Sequence, residues 1–150
     1  MSDKNEALEY AKNLFGMVPN LLQDMAEHNP TVATLYLAGN ERLGQGKLSQ
    51  KEQQAVIVAI SAKNDCHYCT AAHRTLGKSA GIPQEELDRL DRLEPPEDER
   101  LKALTLAAWR VMDKKGFLGD QDLEELEGMN VSRGELYEIV AILGVKTISN

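Results

Sequence analysis

The segment Asp65-Cys66-His67-Tyr68-Cys69-Thr70-Ala71-Ala72-His73 carries both cysteines of the chain and two of its three histidines. Cys66 and Cys69 are three residues apart and Cys69 and His73 are four apart, spacings that bring side chains to one face of a helix. At about 100° per residue, Cys69 lies about 60° and His73 about 20° from Cys66 around the axis. His67 and Tyr68 point elsewhere. Two thiols and an imidazole therefore share a stripe, and that stripe suits thiol chemistry. The thiolate is the nucleophilic form of cysteine, and Cys66, expected in the first helical turn, feels the positive end of the helix, opposed in part by Asp65. An imidazole one turn from Cys69 can take its proton, since histidine titrates near neutrality. A second cysteine three residues away can turn a sulfenic acid into a disulfide before it oxidises further.

Other chemistries use the same residues. A structural zinc site on Cys66, Cys69 and His73 needs a fourth ligand; His67 faces away, and only His28 is left elsewhere. A thioredoxin-like CxxC would follow a strand, and no strand is legible here. Two inert cysteines beside a chance histidine form the third alternative. The redox pair is the preferred reading.

The elements around the motif read as helices throughout, without the alternation and β-branched clusters that strands require. Apolar spacing predicts a helix over 6–15, broken by Gly16-Met17-Val18-Pro19. Pro19 and Pro30 can each open a further helix, over 20–27 and 31–43, since the first helical position does not use its N–H. Gly44-Gln45-Gly46 stops the chain, and Ser49 with Glu52 forms a capping box before the apolar run 55–60, a buried helix. Asn64-Asp65 interrupts it. The cysteine helix starts near Cys66 and runs to about Ser79, closed by Gly81 and Pro83. A short acidic helix over 84–93, a long amphipathic one over 97–115 and a short one from Gly119 to Glu127 follow. Ser132 and Glu135 form a second capping box and open a final apolar helix, which calls for a partner surface or a longer chain to cover it. The two capping-box segments are weakly alike, as two amphipathic helices can be by chance.

The chain has 150 residues, and 17 basic against 24 acidic side chains give a net charge of −7. That balance suits neither a nucleic-acid backbone nor an anionic membrane. A chain of this length and composition is expected to fold as one domain over 1–150. It has no run of eighteen apolar residues and no apolar stretch in Met1-Ser2-Asp3-Lys4-Asn5-Glu6. The expected compartment is the cytoplasm, where cysteines are more often reactive or ligating than structurally bridged.

The stretch Leu48-Ser49-x-x-Glu52…Asn64-x-Cys66-x-Tyr68-Cys69-x-x-Ala72-His73 resembles the alkylhydroperoxidase D (AhpD)-like, carboxymuconolactone decarboxylase family. Gly16-Met17-Val18-Pro19-Asn20-Leu21 and Pro30 resemble that family's opening. The resemblance implies an all-α fold, a homotrimer or homohexamer, and thiol-dependent reduction of hydroperoxides without a bound cofactor. By position it makes Cys69 the peroxide-attacking thiol, Cys66 the resolving thiol and His73 the proton relay. It also implies an external dithiol or lipoyl-type reductant as partner. The decarboxylase branch lacks the cysteine pair and fits poorly. A different class, a non-catalytic oligomeric module using the motif for metal binding or redox sensing, is the alternative.

The chain departs from the family at Gln54, twelve residues before Cys66, where a glutamate commonly ends the proton relay. An amide can orient a water or an imidazole but exchanges no proton near neutral pH. Glu52 faces away and already has its capping role. Some active members also carry a histidine where this chain has Tyr68. Tyr68 and Ser61 are possible pocket residues. Trp109 reads as core, the acidic run of Glu85, Glu86, Glu94, Glu97, Asp98 and Glu99 as a solvated face, and His28 as a loop residue.

Overall fold

The structure, a computed structural model, describes residues 3–150. Among them the elements are helical without exception: α1 Lys4–Phe15, α2 Asn20–His28, α3 Pro30–Leu43, α4 Gln50–Lys63, α5 His67–Ser79, α6 Gln84–Asp91, α7 Glu99–Asp113, α8 Asp120–Gly128 and α9 Arg133–Ser149. The all-α expectation holds. Two compact units divide the chain, one up to Gln45 and the other from Gly46 to Ile148 with Asn150.

In the first unit α1, α2 and α3 pack on one another. The Asp3 carboxylate accepts from the Glu6 N–H at 2.7 Å and starts α1, which ends at Gly16 in the left-handed region, φ 74°. Ala7 and Ala11, one turn apart, are its buried residues. Pro30 takes the first helical position of α3, with the Asn29 side chain accepting from the Val32 N–H at 3.3 Å. Pro19, by contrast, is the N-cap of α2 rather than its first residue. His28 is the last residue of α2, not a loop residue, because its Nδ1 lies 2.9 Å from the Asp24 carbonyl oxygen one turn back.

In the second unit α4 is the central helix. The capping box of Ser49 and Glu52 forms as the sequence predicts. Every residue from Ala55 to Ser61 is buried, because α5, α6 and α7 all pack against α4. Ala55, Val58 and Ala59 meet Ile82, Leu87, Leu90 and Leu101 in a core cluster. Each fully buried leucine in it contributes roughly 1.5–3 kcal/mol. Trp109 packs against this cluster and donates its indole N–H to the Ala59 carbonyl at 3.1 Å, so it is a core residue with its polar edge satisfied.

The acidic run departs from a plain solvated face. Glu86 is buried, and its carboxylate accepts the backbone N–H groups of Glu97 and Asp98, each at 2.9 Å. Asp98 then caps α7 by accepting from Arg100 and Leu101, both at 3.0 Å. Two of the acids thus satisfy the backbone that leads into α7, which for that reason starts later than its apolar pattern suggests. Asp122 serves α8 likewise, accepting from the Gly119 N–H at 2.9 Å and from Lys114 at 2.6 Å.

The second capping box, Ser132 with Glu135, opens α9. Arg100 joins the two boxes: its Nε donates to Glu52 at 2.6 Å, and its Nη2 to Glu135. Glu138, on α9, turns its buried carboxylate to the chain before α4. It accepts from the Lys47 N–H at 2.6 Å, the Leu48 N–H at 3.3 Å and the Gln53 side-chain amide at 3.2 Å. In α9 Leu136, Ile139 and Ile142 are buried while Tyr137, Val140 and Ile148 are exposed. Among the described residues no helix is long and apolar enough to cross a membrane.

Candidate active site

The turn from α4 to α5 sets the cysteines. α4 stops at Asn64, and Asp65 adopts the left-handed region, φ 56°, which aspartate tolerates better than most residues. The Cys66 N–H then donates to the Ser61 carbonyl at 3.0 Å, and the Cys66 carbonyl accepts from the Thr70 N–H at 2.9 Å. Cys66 is therefore the N-cap of α5, with φ −89° and ψ 87°, and not a residue of its first turn. Cys69 is the cysteine in that turn, at its third position, and it is buried where Cys66 is half-buried. The positive end of the helix accordingly acts on Cys69 rather than on Cys66. Asp65 does little to oppose it: its carboxylate is exposed and lies 3.6 Å from Nε2 of the equally exposed His67.

His73 lies one turn beyond Cys69 on α5. Its Nδ1 is 2.9 Å from Oε1 of Gln54 on α4, and its Nε2 is 3.3 Å from Nζ of Lys146 on α9. An ammonium only donates, so Nε2 accepts. The ring proton is therefore on Nδ1, and Gln54 must present its oxygen to it. Gln54, the position where the sequence departs from the resembled family, thus contacts the imidazole through its amide oxygen. Burial, and after it the charge of Lys146, push the His73 pKa down to about 3. The expectation of a near-neutral titration is corrected: the ring is neutral at physiological pH because burial disfavours its charged form and charging it would place a second cation beside Lys146.

Lys146 is the site residue that sequence reasoning missed. It is 1% exposed and, like Glu138 and Ile142, lies on the buried face of α9. The available signal was a lysine placed at helical spacing behind Ile139 and Ile142, where the pattern calls for another apolar side chain. Ser61 is buried, but its hydroxyl accepts from the Asn150 side-chain amide at 3.2 Å, so its part in the site is the carbonyl that holds Cys66. Tyr68 is 57% exposed and is not gathered with Gln54, His73 and Lys146. Both ring nitrogens of His73 are engaged, and among the described residues no three His, Cys, Asp or Glu side chains are grouped to hold a metal ion.

The profile of the carboxymuconolactone decarboxylase family matches residues 30–112, a span that includes Gln54, Cys66, Cys69 and His73 and stops short of Lys146. A peroxidase-related protein from Silicibacter sp. TM1040 has a similar structure, with TM-score 0.74 and 23% identity over 96% of this chain and 78% of its own. So does an alkylhydroperoxidase AhpD core, a peroxidase-related protein from Ralstonia eutropha JMP134, with TM-score 0.81 and 22% identity over 97% of this chain and 78% of its own. At that identity the likeness shows a shared fold. No curated protein matches the sequence.

Proposed function

We propose that this chain, which belongs to the carboxymuconolactone decarboxylase family, is a thiol-dependent peroxidase of the AhpD-like type. The observation that carries the proposal is the placement of a buried thiol, Cys69, in the first turn of α5. Cys66 caps the same helix, and His73, one turn on, is held from both sides. The Cys69 thiolate attacks the terminal oxygen of a hydroperoxide. The S–O bond forms, the O–O bond breaks, and the alkoxide leaves with a proton as an alcohol. The Cys66 thiol then attacks the sulfenic sulfur, forming the disulfide and releasing water. An external dithiol or a lipoyl-type carrier restores the pair by exchange. His73 is held as a neutral ring in fixed orientation, and it serves the proton transfers at Nε2 when the Lys146 ammonium yields that nitrogen. A cysteine pair of this kind supports redox chemistry and has no part in a decarboxylation. The protein works in the cytoplasm as a homotrimer or homohexamer.

The test is peroxide consumption with a dithiol reductant, comparing wild type with Cys69→Ser. Loss of at least a hundred-fold in rate supports the proposal; equal rates overturn it.

A further inference from the structure

Lys146 is a long cation placed where an apolar residue would fit α9 better, and it reaches the one histidine of the thiol site. Its Nζ approaches Nε2 of His73 at 3.3 Å while Gln54 takes Nδ1 at 2.9 Å. Burying an ammonium at 1% exposure is costly unless it is well bonded, and evolution of a plain core would have used leucine or methionine. We propose that Lys146 is a positioning residue of the thiol site, fixing His73 as the Nδ1–H tautomer and supplying the positive potential that favours the Cys69 thiolate. This rests on the reading of Cys69 as the reactive thiol and deepens it.

Three elements bear on the ring. α4 contributes Gln54, which is uncharged and fixed as an acceptor by the ring proton. α9 contributes Lys146, the charge that acts on His73. α5 places Cys69 one turn before the ring, at the positive end of its own helix. A glutamate at position 54 would put a carboxylate on the far side of the ring and offset the ammonium. With glutamine there, no carboxylate at position 54 offsets the Lys146 charge beside the ring. The Gln54 departure and the lysine on α9 then have one explanation: this site draws its positive charge from a lysine, with the histidine as neutral spacer.

The experiment uses full-length reduced protein carrying ¹⁵N-histidine and ¹³Cβ-cysteine. In wild type at pH 7 the ring nitrogen shifts should show a protonated Nδ1 and an accepting Nε2; a protonated Nε2 overturns the proposal. In Lys146→Met the His73 pKa should rise by at least one unit, and the Cys69 Cβ titration should move to higher pH by at least half a unit. Lys146→Arg should keep both near wild type. A folded Lys146→Met with both titrations unchanged overturns the proposal, and if that variant does not fold, the wild-type tautomer decides. No peroxide enters these measurements. A protein that titrates as described yet consumes no peroxide strikes the peroxidase reading and leaves this one standing.

Discussion

The Nδ1–H of His73 donates to Oε1 of Gln54 at 2.9 Å, across 19 residues of chain, so the amide that replaces the resembled family's glutamate keeps its place against the imidazole. The contact preserves orientation and removes proton exchange. A carboxylate in its place would raise the basicity of the ring, since it stabilises an imidazolium that the amide does not. Gln54→Glu is therefore expected to lift the His73 pKa from about 3 and to raise the peroxide-consumption rate about ten-fold, short of the roughly 10²–10⁴-fold typical of a general acid–base group because the same carboxylate offsets the Lys146 charge. An NMR titration alongside the assay checks both. A raised pKa with an unchanged rate would mean that proton transfer through His73 does not limit turnover.

The neutral ring also gives stability a pH dependence. His73 titrates at about 3 in the folded protein and near 6.5 when unfolded. Between those values the unfolded chain binds the extra proton, so stability rises with pH there and is lost as pH falls below 6.5. At 1.36 kcal/mol per unit, the fall from pH 7.5 to pH 5 removes about 2 kcal/mol. Urea unfolding at the two pH values should show this difference in wild type and a much smaller one in His73→Leu. Equal differences would place the pH sensitivity elsewhere.

Helix order was plain in the amino-acid sequence because its signals are local. Ser49 with Glu52, Ser132 with Glu135, and the glycine and proline stops each act within one turn, and the helices lie where those signals put them. The motif was legible for the same reason: Cys69 and His73 are neighbours by spacing alone. Lys146 was not, since its meaning depends on a contact 73 residues away. Glu86 and Asp98 looked like solvated acids because their backbone partners in the turn before α7 form only once the chain folds back. The one-residue shift that makes Cys66 a cap and puts Cys69 in the first turn was hidden as well. It follows from the Ser61 carbonyl and the left-handed Asp65, neither of which a periodicity registers.

That shift separates the roles of the two thiols. Under the proposed mechanism Cys69, buried in the first turn, is oxidised first, and the half-buried Cys66 at the cap closes the disulfide. With Cys66→Ser, one equivalent of hydroperoxide should leave a sulfenic acid on Cys69 that dimedone traps, seen as one adduct by peptide mass spectrometry. Wild type should yield the Cys66–Cys69 disulfide and little adduct. Adduct on neither variant would remove Cys69 as the site of attack.

Gly46 tests how tightly the second unit is built around Glu138. A Cβ on Gly46 would stand 2.2 Å from a carboxylate oxygen of Glu138, a separation no real side chain tolerates. That carboxylate is the acceptor for the Lys47 and Leu48 N–H groups. Gly46→Ala should therefore expel Glu138 and leave those donors unsatisfied, at about 1–3 kcal/mol. Chemical denaturation gives the loss directly, and Gly46→Ala combined with Glu138→Ala should cost less than the sum of the single changes. A neutral Gly46→Ala would show that Glu138 reaches its partners from another rotamer.

Arg100 makes a sharper case, since three charged groups meet there. Its guanidinium bonds Glu52 at 2.6 Å and also bonds Glu135, and the two carboxylates are largely covered. Burial works to raise the carboxyl of Glu52. The bonds from Arg100 and Ser49 outweigh it and hold the group below the usual carboxylate range. Glu135 is balanced in the same way, by Ser132 and Arg100. Both carboxylates therefore contribute stability that is present above their unfolded pKa values and is lost as pH falls through the folded ones. Arg100→Met would leave two like charges facing each other in a half-dry site. About 2–4 kcal/mol of stability should go at pH 7, by comparison with other broken buried pairs. The loss should shrink toward pH 4, where the unmatched carboxylates can take up protons. Denaturation midpoints measured at both pH values decide it, and a loss of the same size at each would mean that Arg100 stabilises the capping boxes by packing its stem rather than by its charge.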